Sequence, residues 1–207
     1  MLDIQLRPLK DRLFDSITPV VPLSITPLHI TLLAFVCGVQ SCICAASSQA
    51  ALSLGLWVLN RAFDCLDGAV ARHRRQASDL GGFLDLLGDF IVYSAIPIAC
   101  ALSSDNSGPS LWLSVAVLEA SFHVNNFVLF YVAAIVEKRK ALGGENNVKE
   151  LTSLAMRPAL IEGAESAVFF TAMLAWPQYL AQISWCMAFL VCVGIIQRNV
   201  WLAKALS

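Results

Sequence analysis

The sequence predicts an all-α integral membrane protein with six transmembrane helices and an N-terminal amphipathic helix at the interface. The 207 residues are 57% hydrophobic and 14% charged, whereas soluble domains contain about a quarter charged residues. A membrane-spanning helix needs about 20 apolar residues, so about six spans would use the whole chain. This balance excludes a separate soluble catalytic domain, a nucleic-acid-binding module and a disordered protein. The net charge of −1 gives no information about partners.

Residues 1–20 are predicted to form an amphipathic helix that lies in the cytoplasmic interface. Apolar residues recur at helical spacing among charged and polar ones, namely Leu2, Leu6, Leu9, Leu13 and Ile17. Pro8 argues for the alternative, a packed N-terminal turn, because a proline inside a helix costs about 3 kcal/mol.

Six apolar segments follow and form one predicted membrane domain over residues 1–207. The predicted spans cover about residues 28–46, 50–72, 81–102, 111–136, 158–176 and 180–197. Polar links and prolines separate them. Pro158 suits a helix start, because the N–H that proline lacks would be unpaired there in any case.

The basic residues predict the orientation of these spans. Thirteen of the 14 precede span one, follow span six, or lie in the links after spans two and four, and only Arg61 lies within a span. The three opposite links, near residues 47–50, 103–110 and 176–181, contain no Lys or Arg. The positive-inside rule therefore places both termini and the two basic links in the cytoplasm.

Four aspartates lie where spans two and three approach the cytoplasmic face. Asp64 and Asp67 share one helix face, as do Asp85 and Asp89. If the short link folds the two helices antiparallel, the four carboxylates form one cluster. Charges in the membrane cost about 2.5–3.5 kcal/mol each and usually mark a functional site. Oxygen ligands suit Mg²⁺ or Mn²⁺, and four carboxylates could hold two ions that clamp a phosphate.

The residues around the aspartates also suit a phosphorylated ligand. Gly68 and Gly81 leave room for it, and three nearby arginines could pair with phosphate, namely Arg72, Arg74 and Arg75. The alternative is structural: the acids form salt bridges with these arginines and Arg61, or are solvated at a helix end.

The pattern Asp64-x2-Asp67-Gly68-x2-Ala71-Arg72-x8-Gly81-x3-Asp85-x3-Asp89 resembles the complete signature of the CDP-alcohol phosphotransferases, membrane enzymes of phospholipid head-group synthesis. The resemblance implies a six-helix bundle, often dimeric, with a polar cavity facing the cytoplasm. It implies that the four aspartates hold two divalent ions and that Asp89 is the general base. It also implies a CDP site lined by Gly68, Ala71, Arg72 and Gly81.

The start of span one departs from many members of that family. These begin the span with Pro-Asn followed by Thr or Ser, whereas this chain has Pro27-Leu28-His29-Ile30-Thr31. Leu28 cannot supply the nucleotide contact expected of that asparagine. Thr31 remains as a candidate for CDP binding.

The start of span five is polar for a membrane helix and contains the candidate acceptor residues. Arg157 could bind a phosphate-bearing acceptor with help from Arg139, and Glu162 and Glu165 could bind an amine or a polyol. The alternatives are positive-inside anchoring for Arg157 and polar contacts within the bundle for the glutamates. Span four carries Glu119 and His123 on one face, with Asn125 and Asn126 beside them. This face could extend the cavity or form interhelical hydrogen bonds.

We therefore predict a phosphatidyltransferase that moves the phosphatidyl group of CDP-diacylglycerol to a small polar alcohol and releases CMP. The acceptor would resemble glycerol phosphate or inositol phosphate. One alternative is an enzyme that uses CDP-choline or CDP-ethanolamine with diacylglycerol, and another is a small cation transporter. The expected partners are membrane lipid and a second copy of the chain, with no nucleic acid. The active site would face the cytoplasm, in a bacterial inner membrane or an organelle membrane.

Overall fold

The computed structural model describes residues 13–105, 108–141 and 163–206. Within these ranges the chain is helical and contains no strand, as the composition predicts. The long helices are α1 Pro27–Ala46, α2 Ala50–His73, α3 Asp79–Leu102, α4 Pro109–Ala141, α5 Gly163–Ala175 and α6 Leu180–Leu206. Short 3-10 helices, Thr18–Val20 and Pro177–Tyr179, precede α1 and α6.

Four of the described helices are long and apolar enough to cross a membrane: α1, α3, most of α4, and the segment Pro177–Val200, which covers most of α6. Helix α2 has the same length as α3, 24 residues, but it contains Arg61, Asp64 and Asp67. Helix α5 is described over 13 residues. The first five residues of its predicted span, 158–162, lie outside the described part of the chain.

The helix boundaries follow local capping and composition. Helix α3 begins two residues before its predicted start, because the Ser78 side chain caps it by accepting a hydrogen bond from the Gly81 N–H at 3.1 Å. Helices α4 and α6 extend beyond their predicted spans, since charged and polar residues with good helix propensity continue each helix past its apolar part. Of the predicted N-terminal amphipathic helix, residues 13–17 are helical, and residues 1–12 lie outside the described ranges.

Helix α1 packs closely against both α2 and α3 through small residues. Ser41 and Ser53 are fully buried, and each hydroxyl donates to the other residue's carbonyl at 2.8 Å. Gly38 lies so near α3 that a Cβ atom there would be 2.6 Å from the Val92 side chain. Small residues and interhelical hydrogen bonds of this kind are typical of packing in membranes.

Helix α5 contacts α2 and α3, and α4 packs mainly on α6. Their shared core contains an aromatic cluster in which Trp57, Tyr93 and Phe170 meet with ring centroids 4.9 to 6.1 Å apart. The Trp57 indole N–H donates to Thr171 Oγ1 at 2.8 Å, which satisfies its polar atom inside the core. This cluster lies directly beside the aspartates and fixes the helices that carry them.

Candidate active site

The two helices that carry the aspartates meet through side chains and not through close backbone packing. Helix α1 packs against both, but α2 and α3 are not among the closely packed helix pairs of the described residues. The contacts between the two pairs of carboxylates are therefore made by side chains.

Arg61 is the main bridge between the two helices. Its Nη2 atom lies 2.5 Å from Asp89 Oδ1, and its Nη1 atom lies 3.3 Å from Asp89 Oδ2 and 3.5 Å from Asp64 Oδ2. The same Nη1 atom donates to the Tyr93 hydroxyl at 2.6 Å. Both carboxylate oxygens of Asp89 thus accept hydrogen bonds from one guanidinium group, a geometry that gives strong, directional pairing.

The other two aspartates have different partners. The Thr31 hydroxyl donates to Asp67 Oδ2 at 2.5 Å, and both residues are buried. Asp85 contacts Asp64. Across the described residues, no three His, Cys, Asp or Glu side chains converge closely enough to hold a metal ion. The four aspartates offer only oxygen ligands, as Mg²⁺ and Mn²⁺ prefer. Arg61 lies between two of them, Asp64 and Asp89.

A cavity of about 400 Å³ opens between the start of α1, the end of α2 and the start of α3. Its lining includes every residue predicted for CDP binding and two of the aspartates: Thr31, Asp67, Gly68, Ala71, Arg72, Gly81 and Asp85. Leu28, which replaces the asparagine expected from the family pattern, also lines it. The structure thus brings residues from three helices to a single cavity.

Gly68 lies close to the guanidinium group of an arginine. A Cβ atom at this position would lie 3.2 Å from Arg72 Nη1, tighter than an ordinary van der Waals contact. The missing side chain lets the Arg72 guanidinium lie across the surface of α2 at the cavity, where it can meet an anionic ligand.

A second cavity of about 300 Å³ lies between α3, α4, α5 and α6. Its polar lining consists of Tyr93, Ser94, Glu119, Asn125, Asn126, Ser166 and Arg198. Arg198 donates to Asn125 Oδ1 at 3.2 Å. Glu119 and the two asparagines are the residues whose spacing on span four indicates a cavity wall, whereas His123 is exposed and does not line it.

The sequence offers Arg61 only as a salt-bridge partner of the acids, and the structure shows such pairs with Asp64 and Asp89. It does not single out four other residues near the site: Tyr93, Ser94, Ser166 and Arg198. Tyr93 follows Asp89 by four residues, so helical spacing could have placed it on the same face. Arg198 was indistinguishable from the basic residues that orient the helices. Its place in the second cavity depends on the packing of α6 against α4.

The residues predicted to bind the acceptor are only partly within the described ranges. Arg157 and Glu162 lie outside them, as does the side chain of Arg139. Glu165 lies in the first turn of α5, is partly buried, and lines neither of the two cavities.

Comparison with known proteins shows the family of this chain. The chain is 32% identical over 184 residues to the inner membrane protein YnjF of Escherichia coli (strain K12), an alignment that covers 87% of this chain and 85% of that protein. With its apolar helices, this similarity identifies a membrane protein. The sequence model of the CDP-alcohol phosphatidyltransferase family matches residues 24–197. This range includes all four aspartates and the residues that line the first cavity. The chain therefore belongs to the CDP-alcohol phosphatidyltransferase family.

Proposed function

We propose that this protein transfers the phosphatidyl group of CDP-diacylglycerol to a hydroxyl of a small polar alcohol and releases CMP. The observation that carries this proposal is the first cavity, in which all five residues predicted for CDP binding lie beside Asp67 and Asp85. If the acids instead formed the path of a cation transporter, Gly68 and Arg72 would not be needed together in a cavity large enough for a ligand.

The donor occupies the first cavity. Arg72 pairs with its diphosphate, since a guanidinium group binds phosphate oxygens at two points. Gly68, Ala71 and Gly81 leave room for the nucleotide, and Thr31 positions Asp67 through their hydrogen bond. When bound by Asp64, Asp67, Asp85 and Asp89, two Mg²⁺ or Mn²⁺ ions would offset the charge of the diphosphate and of the departing CMP.

Asp89 serves as the general base. Arg61 holds it beside Tyr93, which lines the second cavity. Asp89 takes the proton of the acceptor hydroxyl while that oxygen forms a bond to the β-phosphorus, and the bond from the β-phosphorus to the CMP oxygen breaks. Arg61 binds both oxygens of Asp89, and each oxygen keeps a second lone pair that can receive the proton.

The acceptor occupies the second cavity. The hydroxyl, amide and carboxylate groups that line this cavity suit a polyol. Arg198 suits a phosphate on the acceptor, such as that of glycerol phosphate or inositol phosphate. The sequence pattern alone supports four further residues as acceptor-binding candidates: Arg139, Arg157, Glu162 and Glu165.

The proposed topology has six spans, with α2 and the segment around α5 added to the four most apolar helices. The basic links place both chain termini and the aspartate-bearing ends of α2 and α3 at the cytoplasmic face. Both substrates then enter from the cytoplasm or the inner leaflet.

The direct test gives purified protein CDP-diacylglycerol and Mn²⁺ with glycerol phosphate, inositol phosphate, inositol, serine, ethanolamine or choline in turn. CMP release and the lipid product are measured together. The proposal predicts CMP release that depends on one small alcohol, with the matching phosphatidyl lipid. Turnover only with CDP-choline or CDP-ethanolamine and diacylglycerol would contradict the assigned donor.

A further inference from the structure

Every nitrogen of the Arg61 guanidinium has a partner within the described residues. Nη1 and Nη2 bind Asp89, Asp64 and Tyr93, while Nε donates to Asn60 Oδ1 at 2.8 Å. Its charged end also lies over two aromatic rings, 4.9 Å from the centroid of Trp57 and 5.1 Å from that of Tyr93. The side chain is 18% exposed, so this cation is held inside the protein.

The groups that hold Arg61 are themselves fixed. Asn60 is buried and donates to the Ala34 carbonyl of α1 at 2.8 Å. Trp57 is 1% exposed and bonded to Thr171 of α5. Arg61 is therefore anchored from α1, α3 and α5 and does not turn freely away from the carboxylates.

We propose that Arg61 is the resident counter-ion of the aspartate cluster: it holds Asp89 and Asp64 in place without metal, and a divalent ion binds these two carboxylates in competition with it. This inference rests on the metal site of the proposed function. Arg61 acts through the carboxylates and is a positioning residue.

Two physical arguments support the competition. A divalent ion that uses the oxygens of Asp89 must replace or share hydrogen bonds that the guanidinium now makes to both of them. A fixed positive charge a few ångströms away also repels a second cation, and this repulsion is strong where water is largely excluded. Without metal, the same charge offsets the mutual repulsion of the carboxylates, and its removal leaves two partly buried acids, Asp64 and Asp89, without this partner.

The test compares full-length wild-type protein with Arg61→Gln, Arg61→Lys and Arg75→Gln. Arg75 is an exposed arginine just beyond the end of α2, where solvent and salt screen its charge, so Arg75→Gln removes one positive charge from the chain without touching the cluster. Mn²⁺ affinity is measured by electron paramagnetic resonance without nucleotide. Thermal unfolding is measured in EDTA and in saturating Mn²⁺.

We expect Arg61→Gln to bind Mn²⁺ at least about tenfold more tightly than wild type, since removal of one nearby charge is worth at least one factor of ten. Its Tm should be below that of wild type in EDTA and should rise more on addition of Mn²⁺. Arg75→Gln should match wild type within about twofold. If Arg61→Gln does not fold, Arg61→Lys decides the question. A lysine ammonium lacks the planar guanidinium that pairs with both oxygens of Asp89 and with Tyr93 together, so the Arg61→Lys protein should also bind Mn²⁺ more tightly than wild type.

Unchanged or weaker Mn²⁺ binding in the Arg61 variants overturns the inference, as does an equal rise in Tm on Mn²⁺ addition in wild type and variant. Absence of Mn²⁺ binding in all variants overturns it too. CMP release by the wild-type protein is assayed separately. Tighter binding in Arg61→Gln without any wild-type turnover would contradict only the proposed function, and turnover without the affinity change would contradict only the role of Arg61.

Discussion

Thr31→Val tests the contact that fixes Asp67 at the first cavity. The Thr31 hydroxyl lies 2.5 Å from Asp67 Oδ2 and 3.1 Å from the Pro27 carbonyl oxygen, and its single proton is donated to the nearer carboxylate. The two side chains are buried, with Thr31 8% and Asp67 6% exposed. Valine keeps the size and branching of threonine but removes the donor, so the buried carboxylate loses this partner.

A hydrogen bond to a charged group is worth about 1.5–3 kcal/mol. For a chain of this length, each kcal/mol shifts Tm by about 2–4 °C, so Thr31→Val should lower Tm by roughly 3–12 °C. The assay is thermal unfolding of the purified protein in EDTA, which keeps metal from replacing the lost donor. Thr31→Ser is the matched control because it keeps the hydroxyl. A Tm for Thr31→Val equal to that of Thr31→Ser would refute the reasoning.

Two further predictions concern the packing that positions the site. Gly38→Ala should destabilise the fold by about 1–3 kcal/mol, because its Cβ would lie 2.6 Å from the Val92 side chain. The control is Gly55→Ala, whose Cβ would meet nothing within 4 Å and which should leave Tm unchanged or higher. Equal losses of stability in the two variants would contradict this packing. Trp57→Phe and Thr171→Val should each lower stability by about 1–3 kcal/mol through loss of their 2.8 Å hydrogen bond. In unfolding measurements, the double variant should lose less than the sum of the two, and strict additivity would show that the bond contributes nothing.

Much of the fold could be predicted because the helix breaks are local. Helix α1 begins at Pro27, one residue before its predicted start, and ends at Ala46 as predicted. Prolines, serines and charged residues stop or cap a helix through its own backbone groups. The ends of α4 and α6 were less predictable, since hydropathy reports where the apolar part stops and not where the helix stops.

The first cavity could also be predicted in outline, because helical spacing places Gly68, Ala71 and Arg72 on one face of α2 and Gly81 with Asp85 on one face of α3. The distance between the aspartates of α2 and those of α3 could not be predicted. It depends on α1 packing against both helices, and on Arg61, whose spacing predicts Asp64 as a partner but not Asp89. The second cavity depends in the same way on long-range packing, since Arg198 and Glu119 are far apart in sequence.

The most direct measurement of the central claim is acceptor-dependent CMP release from CDP-diacylglycerol in Mn²⁺ by wild type, Asp85→Asn and Asp79→Asn. Asp85 lines the first cavity, whereas Asp79 is exposed in the first turn of the same helix and lies outside it. Wild type and Asp79→Asn should turn over at similar rates, and Asp85→Asn should lose at least roughly a hundredfold, about 2.7 kcal/mol of transition-state stabilisation. Turnover by Asp85→Asn at the wild-type rate would contradict the assignment of this cavity as the active site.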